Sequence, residues 1–228
     1  MSRTTDGWIR AYKTLDALWI HGGNPKQPHA LLASGKHSNG FFNSRLVIPH
    51  DRLLHDACLD LLDIFSDPVA GGDLSKVRGI VGPQTGATKL AEYLSKIVAI
   101  WGNQGCFSAS PAKNRKNGIK SMVFTGGQKK LLAGQNILLC EDVLTTGGSV
   151  EMAEKAVKEQ GGIVLPFILV LVNRSGFSEV AGKKIVALID HPMPIWTPKE
   201  CPLCKQGSEV VRPKDNWARL TDPCWYKS

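Results

Sequence analysis

The stretch Ile137-Leu138-Leu139-Cys140-Glu141-Asp142-Val143-Leu144-Thr145-Thr146-Gly147-Gly148-Ser149 decides the reading of this chain. Its apolar start predicts a buried strand that delivers two adjacent carboxylates to its carboxyl end, and the Thr/Gly/Ser turn that follows opens a helix. Such a turn suits a phosphoryl group. Glycines let backbone N–H groups come close, the hydroxyls of Thr145, Thr146 and Ser149 donate, and the positive end of the helix attracts the anion. Glu141 and Asp142 are placed to hold ribose hydroxyls. Any strand-to-helix turn needs a glycine and one capping hydroxyl, but that need leaves the acid pair unexplained. The stretch is neither a Walker loop, which closes on Gly-Lys-Ser/Thr, nor a Gly-x-Gly-x-x-Gly dinucleotide turn.

Outward from it, strands alternate with helices: strands over 77–82, near 105–109, and over 120–125, 136–141, 163–172 and 184–189, with helices over 85–98 and 148–160. Upstream, Trp8, Ile9, Tyr12, Leu15, Leu18 and Trp19 recur at spacings of three and four, predicting a helix over 7–20 that Gly22-Gly23-Asn24-Pro25 ends. Extended stretches over 29–33 and 41–48 flank a polar turn and read as a hairpin or two neighbouring strands. A second helix carries Leu53, Leu54, Ala57, Cys58, Leu61, Leu62 and Phe65 on one face, which puts Cys58 in the core. The expected class is α/β, with a mostly parallel central sheet flanked by helices. Ligands of such sheets gather beyond the carboxyl ends of the strands, here after residues 82, 109, 141 and 172.

Composition agrees with a globular chain. With 228 residues and 43% apolar content it supports one domain of ordinary size, and 23 Gly and 13 Pro without a period exclude collagen-like classes. The longest apolar run, 163–172, has ten residues, against the roughly 20 that cross a bilayer. The first residues lack an apolar signal core, so the expected compartment is the cytoplasm. Six cysteines spread over this length do not form a disulfide framework, and reduced thiols are expected. A net charge of +8 attracts anions, and nucleic acid and polyphosphorylated metabolites both qualify.

The apolar run, Glu141-Asp142, two apolar residues and Thr145-Thr146-Gly147-Gly148-Ser149 resemble the phosphoribosyl pyrophosphate motif of type I phosphoribosyltransferases. The resemblance spans roughly residues 30 to 214 and is greatest to the orotate phosphoribosyltransferases. Leu32-Ala33-Ser34-Gly35-Lys36-His37-Ser38 followed by Phe41-Phe42-Asn43 is similar to the hood segment of that family. Gly82-Pro83-Gln84-Thr85-Gly86 falls where its pyrophosphate loop lies, and Cys106-Phe107 with Ala112-Lys113 resembles the start of its mobile loop. Asn173-Arg174 matches the arginine that grips the base, and Cys201-Pro202-Leu203-Cys204 with Arg212-Pro213 is similar to the ending of one subset. The chain departs from the family where Ala33, Ala109-Ser110 and Arg115 replace expected basic residues. Lys113, Arg115, Lys116, Lys120, Lys129 and Lys130 supply cations nearby.

The resemblance implies three segments: 1–50, an N-terminal helix and hood; 51–190, the α/β core; and 191–228, a tail or cap. It implies a donor site of Glu141, Asp142, Val143, Leu144, the 145–149 turn and Gly82, Pro83, Gln84, Thr85 and Gly86, with Lys113, Arg115 and Lys116 from the loop. It implies a base site of Lys36, Phe41, Phe42 and Arg174, although Phe41 and Phe42 face opposite ways if extended. Lys113, Asp142 and Glu141 are the catalytic candidates. Mg²⁺ is the implied cofactor, held mainly by substrate and water, and the implied assembly is a homodimer acting on small molecules, with neither membrane nor nucleic acid as partner. Two alternatives stay open: another base, nicotinate or a purine, and a regulatory or nucleic-acid-binding protein that kept the fold. Cys201-x-x-Cys204 is half of a zinc site that Cys224 or His191 would have to complete, so an unliganded pair is the expectation. His21, His37, His50, His55 and His191 show no triad or metal spacing and are assigned no catalysis.

Overall fold

The computed structural model describes residues 3–101, 105–116, 118–222 and 224. In chain order its elements are α1 (Thr5–Thr14), β1 (Leu18–Ile20), β2 (His29–Leu31), β3 (His37–Ser38), β4 (Gly40–Phe42), α2 (Asp51–Ser66), β5 (Gly79–Val81), α3 (Thr88–Ile100), β6 (Phe107–Ala109), β7 (Ala112–Lys116) and β8 (Ile119–Val123). There follow α4 (Gly126–Leu132), β9 (Asn136–Leu144), α5 (Gly148–Glu159), β10 (Ile163–Asn173), β11 (Glu179–Val180), β12 (Lys183–Asp190), β13 (Ile195–Trp196), α6 (Pro202–Lys205), β14 (Val210–Val211) and α7 (Trp217–Thr221). No helix among the described residues is long and apolar enough to cross a membrane.

Side chains alternate across a strand, so an apolar run that faces helices on both sides belongs inside a sheet. That is how β9 behaves: Leu138 and Cys140 enter the core shared with α1, α2 and α3, while Ile137 and Leu139 enter a second core shared with α5 and Leu132 of α4. The central sheet has the order β11-β12-β10-β9-β5-β6, parallel throughout except at the β11–β12 edge. The α/β expectation holds. Cys58, fully buried on α2, is core as expected.

A separate four-stranded sheet, ordered β13-β3-β2-β14, joins the 29–38 hairpin to the tail and forms the hood. Ala30 pairs with Ser38 and Leu31 with His37, Ile195 pairs with Ser38, and Val210 runs parallel to His29. Its own apolar cluster is small, built on Trp19, Ala30, Leu32, Val211 and Leu220.

Four local expectations are corrected. The first helix stops at Thr14 and does not reach 20. Asp16 takes a left-handed conformation (φ 49°) and the Ala17 N–H bonds back to Tyr12 O at 2.8 Å, a Schellman ending usually marked by glycine. Leu18 and Trp19 then pair with Phe42 and Phe41 as strand. The 41–48 stretch is extended only to Phe42, because a 3-10 turn over Ser44–Leu46 follows. The 120–125 stretch is not in the main sheet but forms a hairpin with β7, an exposed strand with no apolar alternation to mark it. Finally, β9 runs on to Leu144, so Glu141 and Asp142 sit on the strand itself.

Candidate functional site

The carboxyl ends of β5, β9 and β10, the hood and the tail surround a cleft of about 660 Å³, within the range of small-molecule sites. On its floor, β9 presents Glu141 and Asp142, and the turn 145–149 leads into α5. Gly147 caps that helix at φ 82°, and a Cβ there would collide with the Val180 side chain, so only glycine serves. Opposite runs the loop Pro83–Gly86. The Gln84 N–H donates to Pro111 O at 3.0 Å and its side-chain amide donates to Ser110 O at 3.0 Å, which holds the loop against the segment leaving β6. A Cβ on Gly86 would stand 2.7 Å from Asp142 Oδ2, so loop and acid are packed together without room for a side chain.

Glu141 is only 7% exposed, and among the described residues neither it nor Asp142 lies within ion-pair distance of a cation. Burial, and then the Asp142 charge beside it, push the Glu141 carboxyl well above the usual carboxylate range. The floor is therefore an acid pair that a cation or a polyol would satisfy.

The opposite charge stands on the adjoining wall. Arg174 follows β10, and its backbone is fixed by bonds from its N–H to Leu144 O (3.0 Å) and from the Met193 N–H to its carbonyl (3.1 Å). The guanidinium, 1% exposed, donates to Gly40 O at 2.9 Å and to Ser38 Oγ at 2.6 Å, and its Nε–H has no partner among the described residues. Burial pushes its pKa down to about 10, which still leaves it charged at neutral pH. On the same cleft, Asn43 is nearly buried, with its Oδ1 unpartnered among the described residues. Arg174 and Asn43 thus both belong to the cleft lining, and each carries a buried polar atom without a partner among the described residues.

Of the residues expected from sequence, the cleft gathers Glu141, Asp142, Val143, Leu144, Thr145, Thr146, Gly147, Gly148, Ser149, Pro83, Gln84, Thr85, Gly86, Lys113, Phe41, Phe42 and Arg174. Phe42 packs inward, edge-on to Tyr12 with ring centroids 5.4 Å apart, while Phe41 meets Trp217 in the hood, so the pair does face opposite ways. Gly82, Lys36, Arg115 and Lys116 do not line it. Gly82 lies beneath, where a Cβ would meet the Ala87 carbonyl. Lys36 is exposed on the turn closed by the bond from the Leu32 N–H to its carbonyl, and Arg115 and Lys116 lie farther along the exposed β7. Sequence reasoning missed Asn43, Arg45, Arg212 and Lys214. Burial, with Arg45 and Lys113 close by, pushes the Lys214 ammonium down, and Asp142 and Glu141 pull the other way. Its signal was a basic pair around Pro213 in the tail, which does not say where the tail folds.

No protein-family model matches the chain. Among curated proteins, it is 32% identical over 208 residues to the orotate phosphoribosyltransferase of Caldicellulosiruptor bescii, spanning 91% of this chain and 96% of that one. It is 33% identical over 197 residues to the orotate phosphoribosyltransferase of Pelotomaculum thermopropionicum, spanning 86% and 94%. Among solved structures, the orotate phosphoribosyltransferase from Aeropyrum pernix superposes with a TM-score of 0.56 at 19% identity over 79% of this chain and 92% of that one, a likeness of fold.

Proposed function

Because the chain belongs to the orotate phosphoribosyltransferase family, we propose that it moves ribose 5-phosphate from phosphoribosyl pyrophosphate to a ring nitrogen of orotate and releases pyrophosphate. The architecture is the type I phosphoribosyltransferase fold. The observation that supports the choice of base is Arg174, a guanidinium on the cleft lining, which it shares with Asn43, with no ion-pair partner among the described residues. A pyrimidine bearing a carboxylate offers an anion to the guanidinium and an imide N–H to the amide oxygen. A purine offers no anion, and its placement leaves the buried charge unmet.

In this reading Glu141 and Asp142 hold the ribose hydroxyls, the 145–149 turn and the start of α5 hold the 5-phosphate, and the 83–86 loop holds pyrophosphate. The transition state is loose, with oxocarbenium-like charge at the anomeric carbon, so placement and electrostatics supply most of the acceleration. Lys113 stabilises the departing pyrophosphate, and Arg45, Arg212 and Lys214 supply cations that the departures at Ala33, Ala109 and Ser110 remove. Arg115 and Lys116 take part when the β7–β8 hairpin closes over the cleft and excludes water. The family generally uses Mg²⁺, and the Glu141–Asp142 oxygens, unpaired with any cation among the described residues, suit a hard ion that keeps water and substrate oxygens as its other ligands. When bound, Mg²⁺ neutralises charge on the leaving pyrophosphate.

The reading includes a homodimer that covers Ile119 and Val123, apolar and exposed on the hairpin beside the cleft. It also includes a cytoplasmic location and small molecules, not nucleic acid, as partners, in keeping with cations set into the cleft wall. The test is pyrophosphate release from phosphoribosyl pyrophosphate and Mg²⁺ with orotate, uracil, nicotinate, hypoxanthine, guanine and adenine in turn. Release with orotate alone is expected. Release with another base moves the specificity, and silence with donor binding still measurable by calorimetry favours a regulatory protein of the same fold.

A further inference from the structure

Away from the cleft, the hood contains a cluster that the transfer reaction does not use. His29 on β2, His37 on β3, and Cys201 and Cys204 at the start and in the body of α6 each turn one ligand atom inward, and these atoms all lie within 4.8 Å of one another. His29 Nε2 is 3.1 Å from His37 Nδ1 and 3.4 Å from each sulfur, and Cys204 Sγ is 3.2 Å from His37 Nδ1. A tetrahedron with zinc–nitrogen bonds of about 2.0–2.1 Å and zinc–sulfur bonds of about 2.3 Å has nitrogen–nitrogen edges of about 3.3 Å and nitrogen–sulfur edges of about 3.6 Å. The four edges just given fall close to these values, and the remaining two are within 4.8 Å. Cys224 and His191, the complements considered from sequence although neither lies in a paired spacing, are elsewhere: Cys224 is exposed and His191 packs on the Phe42 ring.

Hydrogen bonding sets the ligand chemistry. Ser208 Oγ has one proton and donates it to Gln27 O at 2.6 Å, so toward His29 Nδ1, 2.9 Å away, it accepts. His29 therefore carries its proton on Nδ1 and turns the Nε2 lone pair toward His37 and the two sulfurs. A metal-ligating histidine is normally oriented by this kind of outer hydrogen bond. His29 and Cys201 are fully buried, and His37 nearly so.

We propose that His29, His37, Cys201 and Cys204 form a structural Zn²⁺ site that ties the tail to the hood hairpin. A two-sulfur, two-nitrogen tetrahedral set selects zinc over Mg²⁺ or Ca²⁺, and four protein ligands leave no open position for catalysis. The hood needs such a tie. Its apolar cluster is small, and its β13, β3 and β14 strands are two residues each, too short to hold a sheet by pairing alone. His37 precedes Ser38, which anchors Arg174, so the metal also fixes one edge of the cleft. The site stands whether or not the transferase reading does.

The experiment is elemental analysis of the purified full-length chain, followed by replacement of the metal with Co²⁺. One zinc per chain is expected. The Co²⁺ form is expected to show the intense visible bands of a tetrahedral ion with sulfur-to-metal charge transfer. The Cys201→Ser/Cys204→Ser variant is expected to lose both, and a strong chelator is expected to lower the melting temperature of the wild type by several degrees. Where that double variant does not fold, the wild-type Co²⁺ spectrum decides alone. Substoichiometric metal with no Co²⁺ spectrum, or a Cys201–Cys204 disulfide found by mass spectrometry in the freshly purified protein, would overturn the site.

Discussion

Arg174 donates through Nη2 to Ser38 Oγ at 2.6 Å, across 136 positions of sequence, and so couples the end of β10 to the hood. Ser38 gives its own proton to Pro194 O at 2.7 Å, which leaves its oxygen free to accept, and Gly40 O takes a second guanidinium N–H at 2.9 Å. Two bonds from one planar group fix its plane, and among the described residues no ion pair neutralises its charge. A guanidinium held in this way on a cleft lining suits the orotate carboxylate of the proposed reaction.

Arg174→Ala should raise the KM for orotate by about 10- to 100-fold, the cost of a hydrogen-bonded charge pair, with the KM for the donor little changed. Arg174→Lys keeps the charge but loses the fork and should fall between the two. Ser38→Ala should show a smaller effect of the same kind. Steady-state kinetics with each substrate varied decides it, since an equal rise in both constants removes Arg174 from the base site.

Glu141 has the opposite problem, a buried acid beside a like charge. Its folded pKa is raised, so the folded state keeps the proton to higher pH than the unfolded chain. Its contribution to stability is therefore intact below the unfolded carboxyl value of about 4.3 and is lost as pH rises toward the folded pKa. Glu141→Gln should raise the stability of the ligand-free protein at neutral pH by about 0.5–2 kcal/mol and cut donor use at the same time. Thermal melts across pH test the first half, and a variant no more stable than wild type at pH 7 would show that the pair is relieved by other means.

The strand-turn-helix around Glu141 was legible because everything it needs is local: an apolar run, two acids, glycines and hydroxyls within thirteen residues. The same holds for α2, α5 and the central strands. What stayed hidden depended on distant chain. Lys214 reaches the cleft, and Cys201 and Cys204 meet His29 and His37, only because β14 returns to pair with β2 about 180 residues away in sequence. Asp16 ends α1 in a conformation usually left to glycine, and β7, exposed and charged, lacks the alternation that marks a half-buried strand.

Lys113 lines the cleft from the exposed β7, one register position from the Ala112–Val123 pair at the base of the hairpin, whereas Arg115 stands across from Lys120 farther out. A cation that meets the leaving group chiefly in the transition state affects kcat more than KM. Lys113→Ala should therefore lower kcat by about 10²-fold or more, with a KM change for the donor of only a few-fold. Lys214→Ala, removing a cation of the cleft lining that feels the charge of Asp142, should raise the donor KM instead. Equal losses in kcat and in affinity for Lys113→Ala would make it a simple anchor.

Gly86 tests the packing of loop against acid. Its added Cβ would lie 2.7 Å from Asp142 Oδ2, inside van der Waals contact, so Gly86→Ala must move the carboxylate or the loop. Both surround the cleft, and a displacement of about 1 Å at a positioned group costs on the order of 10²-fold in rate. Gly86→Ala should lower kcat/KM for the donor by about that factor while the melting temperature shifts little, because the loop contributes few core side chains. Asp142→Asn should show a loss at least as large, since a neutral amide cannot supply the charge. If the glycine acts through the acid, the double variant is no worse than Asp142→Asn alone, because neighbouring sites that share one effect do not add. Additive losses would mean that Gly86 is required for the path of the pyrophosphate loop and not for the position of Asp142.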